Sequence, residues 1–304
     1  MKKFIFGFAK NKSVIVPPSD LVTLGILPKQ VSEYTDADIG SIISIPYTDS
    51  SGIITGPIEF EVVGVNHHKD IYDESKPTIT LMSKNIIRNA AFDAAEPDNP
   101  LHDELGGRPL RAEAGNNRLS VSNIRQWLNS ERGANEWFTS QHEYDTAPIA
   151  DNIWYYEDAE YAKNGSYADE AGFLAGFSDE VKQHFATVKN KTNLCNVDKE
   201  LLSKDFEETE DKVFLPSYTE MGFDNVDEII PAYLIQDSPE GTPLAKRFTD
   251  DNSRIKSGGI GRYWMRTPWH SYTDYMFCND TSGCISIESA ASGRPGPAPL
   301  IVLC

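Results

Sequence analysis

A mixed α+β fold with a strand-rich end is predicted by three features of the chain. Residues 261–304 are rich in aromatic and β-branched side chains that suit a pleated, half-buried surface, and poor in helix formers. Residues 41–65 alternate between apolar and polar side chains with the period of a strand. Only two segments, 120–129 and 178–188, carry the spacing of a buried helix face. A chain of 304 residues is long enough to bury a substantial core. The simplest organisation is an N-terminal arm over residues 1–39 and one domain over 40–304.

The arm is the least regular part. Residues 2–16 alternate weakly and suit a strand added to this protein's own sheet or to a neighbour's, and Pro17, Pro18, Gly25 and Pro28 then punctuate too often for a long helix. Docking on a partner and packing on the same domain both fit. The opening apolar stretch is short, is broken by Lys10 and lacks a small-x-small cleavage site, so it is not read as a secretory leader.

Strands are expected over 41–47 and 58–65, as a hairpin across 49–52, and over 78–82. His67 and His68 follow the second of these. Adjacent residues of an extended chain point to opposite sides, so this pair reads as a polar loop and not as a chelate. Residues 92–111, acidic and rich in Pro and Gly, read as a solvated surface loop. In 120–129, Val121, Ile124, Trp127 and Leu128 share a helix face, Ser120 or Ser122 is placed to cap, and Trp127 reads as core. Residues 134–172 hold Trp137, Phe138, Trp154, Tyr155, Tyr156, Tyr161 and Tyr167 in irregular sequence, which fits either a core lid or a contact surface.

The second helix is expected over 178–188, capped by Ser178, with Asp179 and Glu180 at its positive end and Val181, Phe185 and Val188 as its buried stripe. Residues 204–211 read as an acidic exposed connector and 212–215 as a short strand. Ser217 and Glu220 have the spacing of a capping box opening a brief helix.

Four strands close the chain, over 262–267, 275–279, 284–287 and 300–303, with Asp280-Thr281-Ser282-Gly283 turning the middle pair. Cys278 and Cys284 flank that turn, as a disulfide or as two buried thiols. Trp264 and Arg266 stand inside the first strand and Arg294 just before the last. Each arginine suits stacking on a Trp or bridging to a carboxylate, which would pin loops. Structural roles are therefore expected for Trp264, Arg266, Arg294 and Trp127. Between the first two of these strands, Trp269, His270, Ser271, Tyr272, Thr273, Asp274 and Tyr275 form a loop in which aromatics offer rigid contact area and hydroxyls offer hydrogen bonds. These seven are the candidate ligand- or receptor-binding residues.

The run YWMRTP, the Tyr/Ser/Thr-rich loop after it, the Asn-Asp-x-x-Gly turn and the Gly-Arg-Pro before the last strand resemble the C-terminal signature of an uncharacterised domain family. That family is common in phage tail gene clusters, prophages and gut bacteria and resembles C-type lectin-like folds, so the resemblance implies an α+β, C-type-lectin-like domain: a twisted, mostly antiparallel sheet with two flanking helices and long loops. VSNIRQWLN, GFLAGFSDEVK and DKVFLPSYTEMG extend the resemblance over residues 40–304. The chain departs from it at Met265, at the adjacent Gly293-Arg294, and at Gly296-Pro297-Ala298-Pro299. Glu96-Pro97-Asp98 and Asn279-Asp280 are similar to calcium and sugar motifs of true C-type lectins, but they lie far apart in sequence where lectins keep them close.

A formal charge of −18 speaks against nucleic acid, since phosphate binding needs clustered Lys and Arg. No hydrophobic run is long enough to span a bilayer. The nucleophile-elbow, zinc-protease, phosphate-loop and dinucleotide motifs are missing from the sequence. The expectation is a non-enzyme without cofactor or metal. The resemblance implies a bacteriophage virion structural protein, assembled in the host cytoplasm, whose lectin-like surface serves tail or baseplate host attachment. The implied partners are other virion proteins through residues 1–38, a host surface glycan or protein, and further copies of the chain. A capsid decoration or head-fibre protein is the first alternative. A cell-encoded lectin-like or formylglycine-generating-type enzyme, with Cys278 and Cys284 as its only candidate thiols, is the second.

Overall fold

The chain's last strand lies near the centre of its main sheet. The computed structural model describes residues 20–49, 54, 56–99, 114–153, 164–194, 206–223, 240–259, 261–269 and 274–304. Within these, β1 (Ile42–Ile45), β2 (Ile58–Val65), β3 (Ile79–Ser83), β10 (Leu300–Leu303) and β6 (Val213–Phe214) form a five-stranded sheet in the order β1-β2-β3-β10-β6. Every pairing in it is antiparallel. β4 (Val188–Asn193) and β5 (Phe206–Asp211) make a two-stranded ribbon, and β7 (Tyr263–Pro268), β8 (Tyr275–Asn279) and β9 (Ile285–Ser289) make a three-stranded antiparallel sheet. The described helices are short: α1 (Asn123–Leu128), α2 (Asp179–Lys182) and α3 (Asp251–Arg254). The fold is thus α+β, with mostly antiparallel sheets and few helical residues.

β10 shows why a purely apolar tetrapeptide suits that place. Successive side chains of a strand face opposite sides. Ile301 and Leu303 enter one core with Phe60, Leu81, Trp127 and Phe173, whereas Leu300 and Val302 enter a second with Met82, Phe214, Tyr263 and Phe277. All four are fully buried. A strand covered on both faces reads as a continuous hydrophobic run, and each such side chain contributes about 1.5–3 kcal/mol by leaving water.

The first core is closed by α1. Ser122 is its N-cap, accepting from the Arg125 N–H at 3.4 Å. Trp127 donates Nε1–H to the Ala171 carbonyl at 2.9 Å and meets Tyr167 edge-on, while Trp137 stacks on the other side of Tyr167 with parallel rings 5.4 Å apart. Trp137 and Tyr167, from the aromatic stretch that sequence left open, are therefore core; residues 154–163 lie outside the described residues. Of the expected arm, residues 20–39 place Leu21, Ile26, Leu27 and Tyr34 in this same core, and residues 1–19 lie outside the described residues.

Several expectations are corrected. The second helix ends at Lys182, and Ser178 occupies the N-cap position without a side-chain cap bond. Beyond it Phe185 bridges to Leu303 and the Ala186 N–H bonds to the Val302 carbonyl at 2.8 Å, so the sheet draws the chain out and Val188 begins β4. The acidic connector is β5. Its Glu208 lies 3.2 Å from Lys189 and 3.6 Å from Lys191 across the ribbon, a pairing of opposite charges that offsets its low strand propensity. Ser217 and Glu220 do exchange capping-box bonds, at 3.0 and 2.9 Å, but they close a turn and no helix. In the supposed surface loop, Phe92, Asp93, Ala94, Glu96 and Asn99 are buried, and residues 100–113 lie outside the described residues. Cys278, buried, and Cys284, exposed, are free thiols.

The segment before β10 also has a physical account. Pro297 and Pro299 lack an N–H but offer carbonyls, which accept from Ile87 and Ser83 at 3.0 and 2.9 Å. Gly296 exchanges bonds with β7 and its flank, from its carbonyl to the Trp264 N–H at 3.0 Å and from its N–H to the Arg262 carbonyl at 3.1 Å. A Cβ built on Gly296 would overlap the Arg88 carbonyl oxygen. Gly296→Ala is therefore expected to destabilise the protein by about 2–4 kcal/mol, as overpacking against rigid backbone does; a urea midpoint equal to that of the native chain would show that the junction yields.

Candidate functional site

The predicted binding loop springs from a break in the sheet. Tyr263 and Trp264 pair in register with Asn279 and Cys278, but Pro268 then stands opposite Met276, so β7 carries two more residues than β8 over the same span. Bulges of this kind re-aim side chains and are frequent beside functional sites. Arg266 lies in the bulge. Its N–H bonds to the Pro216 carbonyl at 2.8 Å instead of to β8, and its side chain turns into the protein.

There it meets Glu220 in a two-pronged pair, Nη1 to Oε2 at 2.7 Å and Nη2 to Oε1 at 2.8 Å, with both groups fully buried. The remaining guanidinium hydrogens serve backbone. Nη1 also donates to the Leu215 carbonyl at 2.9 Å and Nη2 to the Glu240 carbonyl at 2.6 Å. Glu220 holds a third partner, His68, whose Nε2 is 3.0 Å from Oε1 while Nδ1 is 3.0 Å from the Thr80 hydroxyl on β3. An ionised carboxylate only accepts, so Nε2 carries the proton directed at it. Burial alone would raise the Glu220 carboxyl, yet the Arg266 guanidinium and His68 outweigh it and hold Glu220 well below the usual range. Next in the strand, the Thr267 hydroxyl donates to Glu240 Oε2 at 2.5 Å and accepts from the Tyr218 N–H at 2.9 Å. Burial pushes the Glu240 carboxyl up, against the opposing pull of Arg266 and Thr267.

The loop's two ends are clipped above this network. The Trp269 N–H donates to the Tyr275 carbonyl at 2.9 Å, and the two rings meet edge to face with centroids 5.7 Å apart. Asn117 Nδ2 donates to the same carbonyl at 3.1 Å, and the Ala290 N–H donates to the Asp274 carbonyl at 2.7 Å. Trp269 and Tyr275 are half-buried and Asp274 is buried. His270, Ser271, Tyr272 and Thr273 lie outside the described residues. Of the structural residues, Trp264 is fully buried, with Nε1–H on the Ala90 carbonyl at 2.7 Å, and Trp127 holds α1 as above. Arg294 is half-buried, within electrostatic reach of Glu288.

A second buried polar group stands apart from the loop. Asp93 accepts from the Asn123 N–H at 2.9 Å and the Asn116 N–H at 3.1 Å, and Asn123 Nδ2 donates to Asp145 at 3.1 Å. Glu96 lies within hydrogen-bonding reach of Asp93 and 3.1 Å from His142 Nε2. Burial raises all three carboxyls; repulsion from Glu96 adds to the rise at Asp93, and repulsion from Asp145 adds to it at both Asp93 and Glu96. Among the described residues no group of three or more His, Cys, Asp or Glu side chains is placed to hold a metal ion.

Sequence reasoning missed His68, Glu240, Asn117 and Asp93. His68, which the sequence presents as part of a polar loop, bonds to the buried Glu220, and only Glu220 carries a local signal, its capping box.

Residues 78–303 match the family described as a domain of unknown function, DUF6273. The chain belongs to this family. The DUF6273 match starts at β3, whereas the resemblance was expected to start at residue 40; β1 and β2 precede it but complete the same sheet. No curated protein and no solved structure matches the chain. The match holds both partners of the Arg266–Glu220 pair and the whole loop between β7 and β8, and leaves His68 outside.

Two outcomes follow for this DUF6273 domain. Removing one member of a buried ion pair strands the other, so Arg266→Met should cost about 3–5 kcal/mol in chemical denaturation, and Arg266→Met/Glu220→Gln should cost less than the two single changes added together. The acid group acts on pH dependence. A carboxyl raised by folding favours the native state below its unfolded pKa of about 4.3, and that advantage is lost as pH rises through the folded value. Glu96→Gln should therefore flatten the fall of the urea midpoint as pH rises above about 4.3; an unchanged slope would place the proton elsewhere.

Proposed function

We propose that the chain is a bacteriophage virion protein that contacts the host surface, on the tail or baseplate, through the loop between β7 and β8. The scaffold in this reading is C-type-lectin-like. An antiparallel sheet uniting an early part of the chain with its end, few helices and long connections support that label.

The observation that carries the proposal is the clip at the loop's base. The Trp269–Tyr275 bond and ring contact, together with the Asn117 and Ala290 bonds, fix where residues 270–273 leave and rejoin the domain. Below them, Arg266 and Thr267 tie the strand to two other parts of the chain, the turn after β6 and the segment at Glu240. Binding orders side chains at a cost of about 0.5–1.5 kcal/mol each, so a base fixed beforehand leaves more of the contact energy as affinity. The loop's Trp, His, Tyr, Ser and Thr supply the rigid area and adaptable hydrogen bonds that a glycan or protein surface needs.

The test is a host-cell binding assay with His270→Ala/Tyr272→Ala. These positions lie between the clipped ends, so binding should fall at least about tenfold, the loss of roughly 1.4 kcal/mol, while the thermal unfolding midpoint stays in place. Full binding by the variant would end the proposal.

A further inference from the structure

β9 is the outer strand of the three-stranded sheet, and its far edge is open. The Asp280 N–H bonds to the Cys284 carbonyl at 2.9 Å, and β8 pairs with β9 in unbroken register from Tyr275 opposite Ser289 to Asn279 opposite Ile285. Backbone groups alternate sides along an antiparallel strand, so Cys284, Ser286 and Glu288 bond toward β8, and the N–H and C=O of Ile285 and Ile287 point away from it. Among the described residues nothing bonds to those outward groups. The side chains of Ile285 and Ile287 are half-buried on the face that carries Phe277, at the margin of the second core.

Proteins blunt a strand edge with proline, lysine, a bulge or a covering segment. β1, the outer strand of the main sheet, is treated in this way: Pro46 follows it, and the Thr48 N–H is taken by the Gly176 carbonyl at 2.8 Å. β9 carries neither proline nor lysine nor bulge. Its one charge, Glu288, is matched by Arg262 at 3.0 Å. A regular apolar edge with its charge neutralised is a template for another strand.

The strand that fits this edge is β9 of a second copy. Antiparallel pairing about a two-fold axis at Ser286 sets Ile285 opposite Ile287 of the second copy, and Ile287 opposite its Ile285. Every outward N–H and C=O of these residues then finds a partner, and the isoleucines of both copies meet on one face. Other registers lose this match. Shifted one way, Ile285 meets Ser289, whose carbonyl already accepts from the Ser292 N–H at 2.9 Å; shifted the other way, Ile287 meets the turn at Gly283. Like-with-like pairing also closes, whereas β9 against a different edge of the next copy would propagate. We propose that two copies of the chain associate through β9 in this register, joining their three-stranded sheets into one continuous sheet. This stands independently of the host-binding reading.

In the full chain, Ile285→Lys/Ile287→Lys should raise the dissociation constant of the dimer at least about tenfold, read by sedimentation. A native chain that sediments only as a monomer, or a variant that associates as before, overturns the proposal. Should the variant lose its fold, Glu288→Cys decides. In the proposed register position 288 faces the exposed Cys284 of the second copy across a non-hydrogen-bonded pair, with Cα atoms about 4.5 Å apart. Within one chain the two positions are about 13 Å apart along β9, beyond the reach of a disulfide. Under mild oxidation, a disulfide from Cys284 to position 288 that joins two chains supports the dimer. Its absence, or Cys284 joined to Cys284, overturns it.

Discussion

The buried pair of Arg266 and Glu220 is the constraint around which the second half of the chain is arranged. Desolvating two ions costs several kcal/mol each, and attraction between them offsets this only with good geometry and with the remaining donors and acceptors satisfied. Both conditions hold. The contact is bidentate, two loop carbonyls take further guanidinium hydrogens, and the Ser217 N–H and His68 take the carboxylate's other lone pairs. A pair of this quality adds little net stability over an apolar one, but it accepts almost no alternative arrangement. It therefore fixes where the bulge of β7, the turn after β6 and the segment at Glu240 lie with respect to each other.

The same logic recurs through the molecule and follows from how little regular structure it has. Buried loop carbonyls have no ladder to join, and each left unpaired costs about as much as a lost hydrogen bond. Long donor side chains meet them. Arg254 serves the Met221 and Gly222 carbonyls, Arg88 those of Asn89 and Ser166, and Asn129 that of Val213. Trp264, Trp127 and Tyr167 serve Ala90, Ala171 and Ala91 with their single polar atoms. Arginine is well suited because its five N–H groups reach several carbonyls at once and its charge persists at any ordinary pH.

What was legible in the sequence follows the range of the interactions. β2, β8 and β10 show in their own alternation or apolar runs, and α1 shows in the spacing of Ile124, Trp127 and Leu128, because burial on one face leaves a local period. β5 was invisible: its sequence FEETED is strand only because Lys189 and Lys191 stand across from Glu208. The second helix was over-read because Phe185 and Val188 fit a helical stripe equally well, and pairing with β10 decides otherwise. In the candidate site, the loop's composition was readable, but the support beneath it was not. His68 and Glu220 are far apart in the chain, and nothing local distinguishes a histidine that ends on a buried carboxylate from one in a solvated loop.

This division also says where the chain can change. Arg266 and Thr267 each satisfy groups from several segments, so replacing either leaves buried partners without bonds. Trp269 and Tyr275 hold each other by backbone and ring. The bonds that fix this frame are made by residues on either side of 270–273, and the strand pairing of β7 with β8 is closed at Pro268 and Met276. In the proposed reading this separation keeps the energy that fixes the frame independent of the residues that make contact. The bulge makes the separation possible. By taking two extra residues out of the ladder, it turns Arg266 inward as the anchor of the strand from which the proposed contact segment starts.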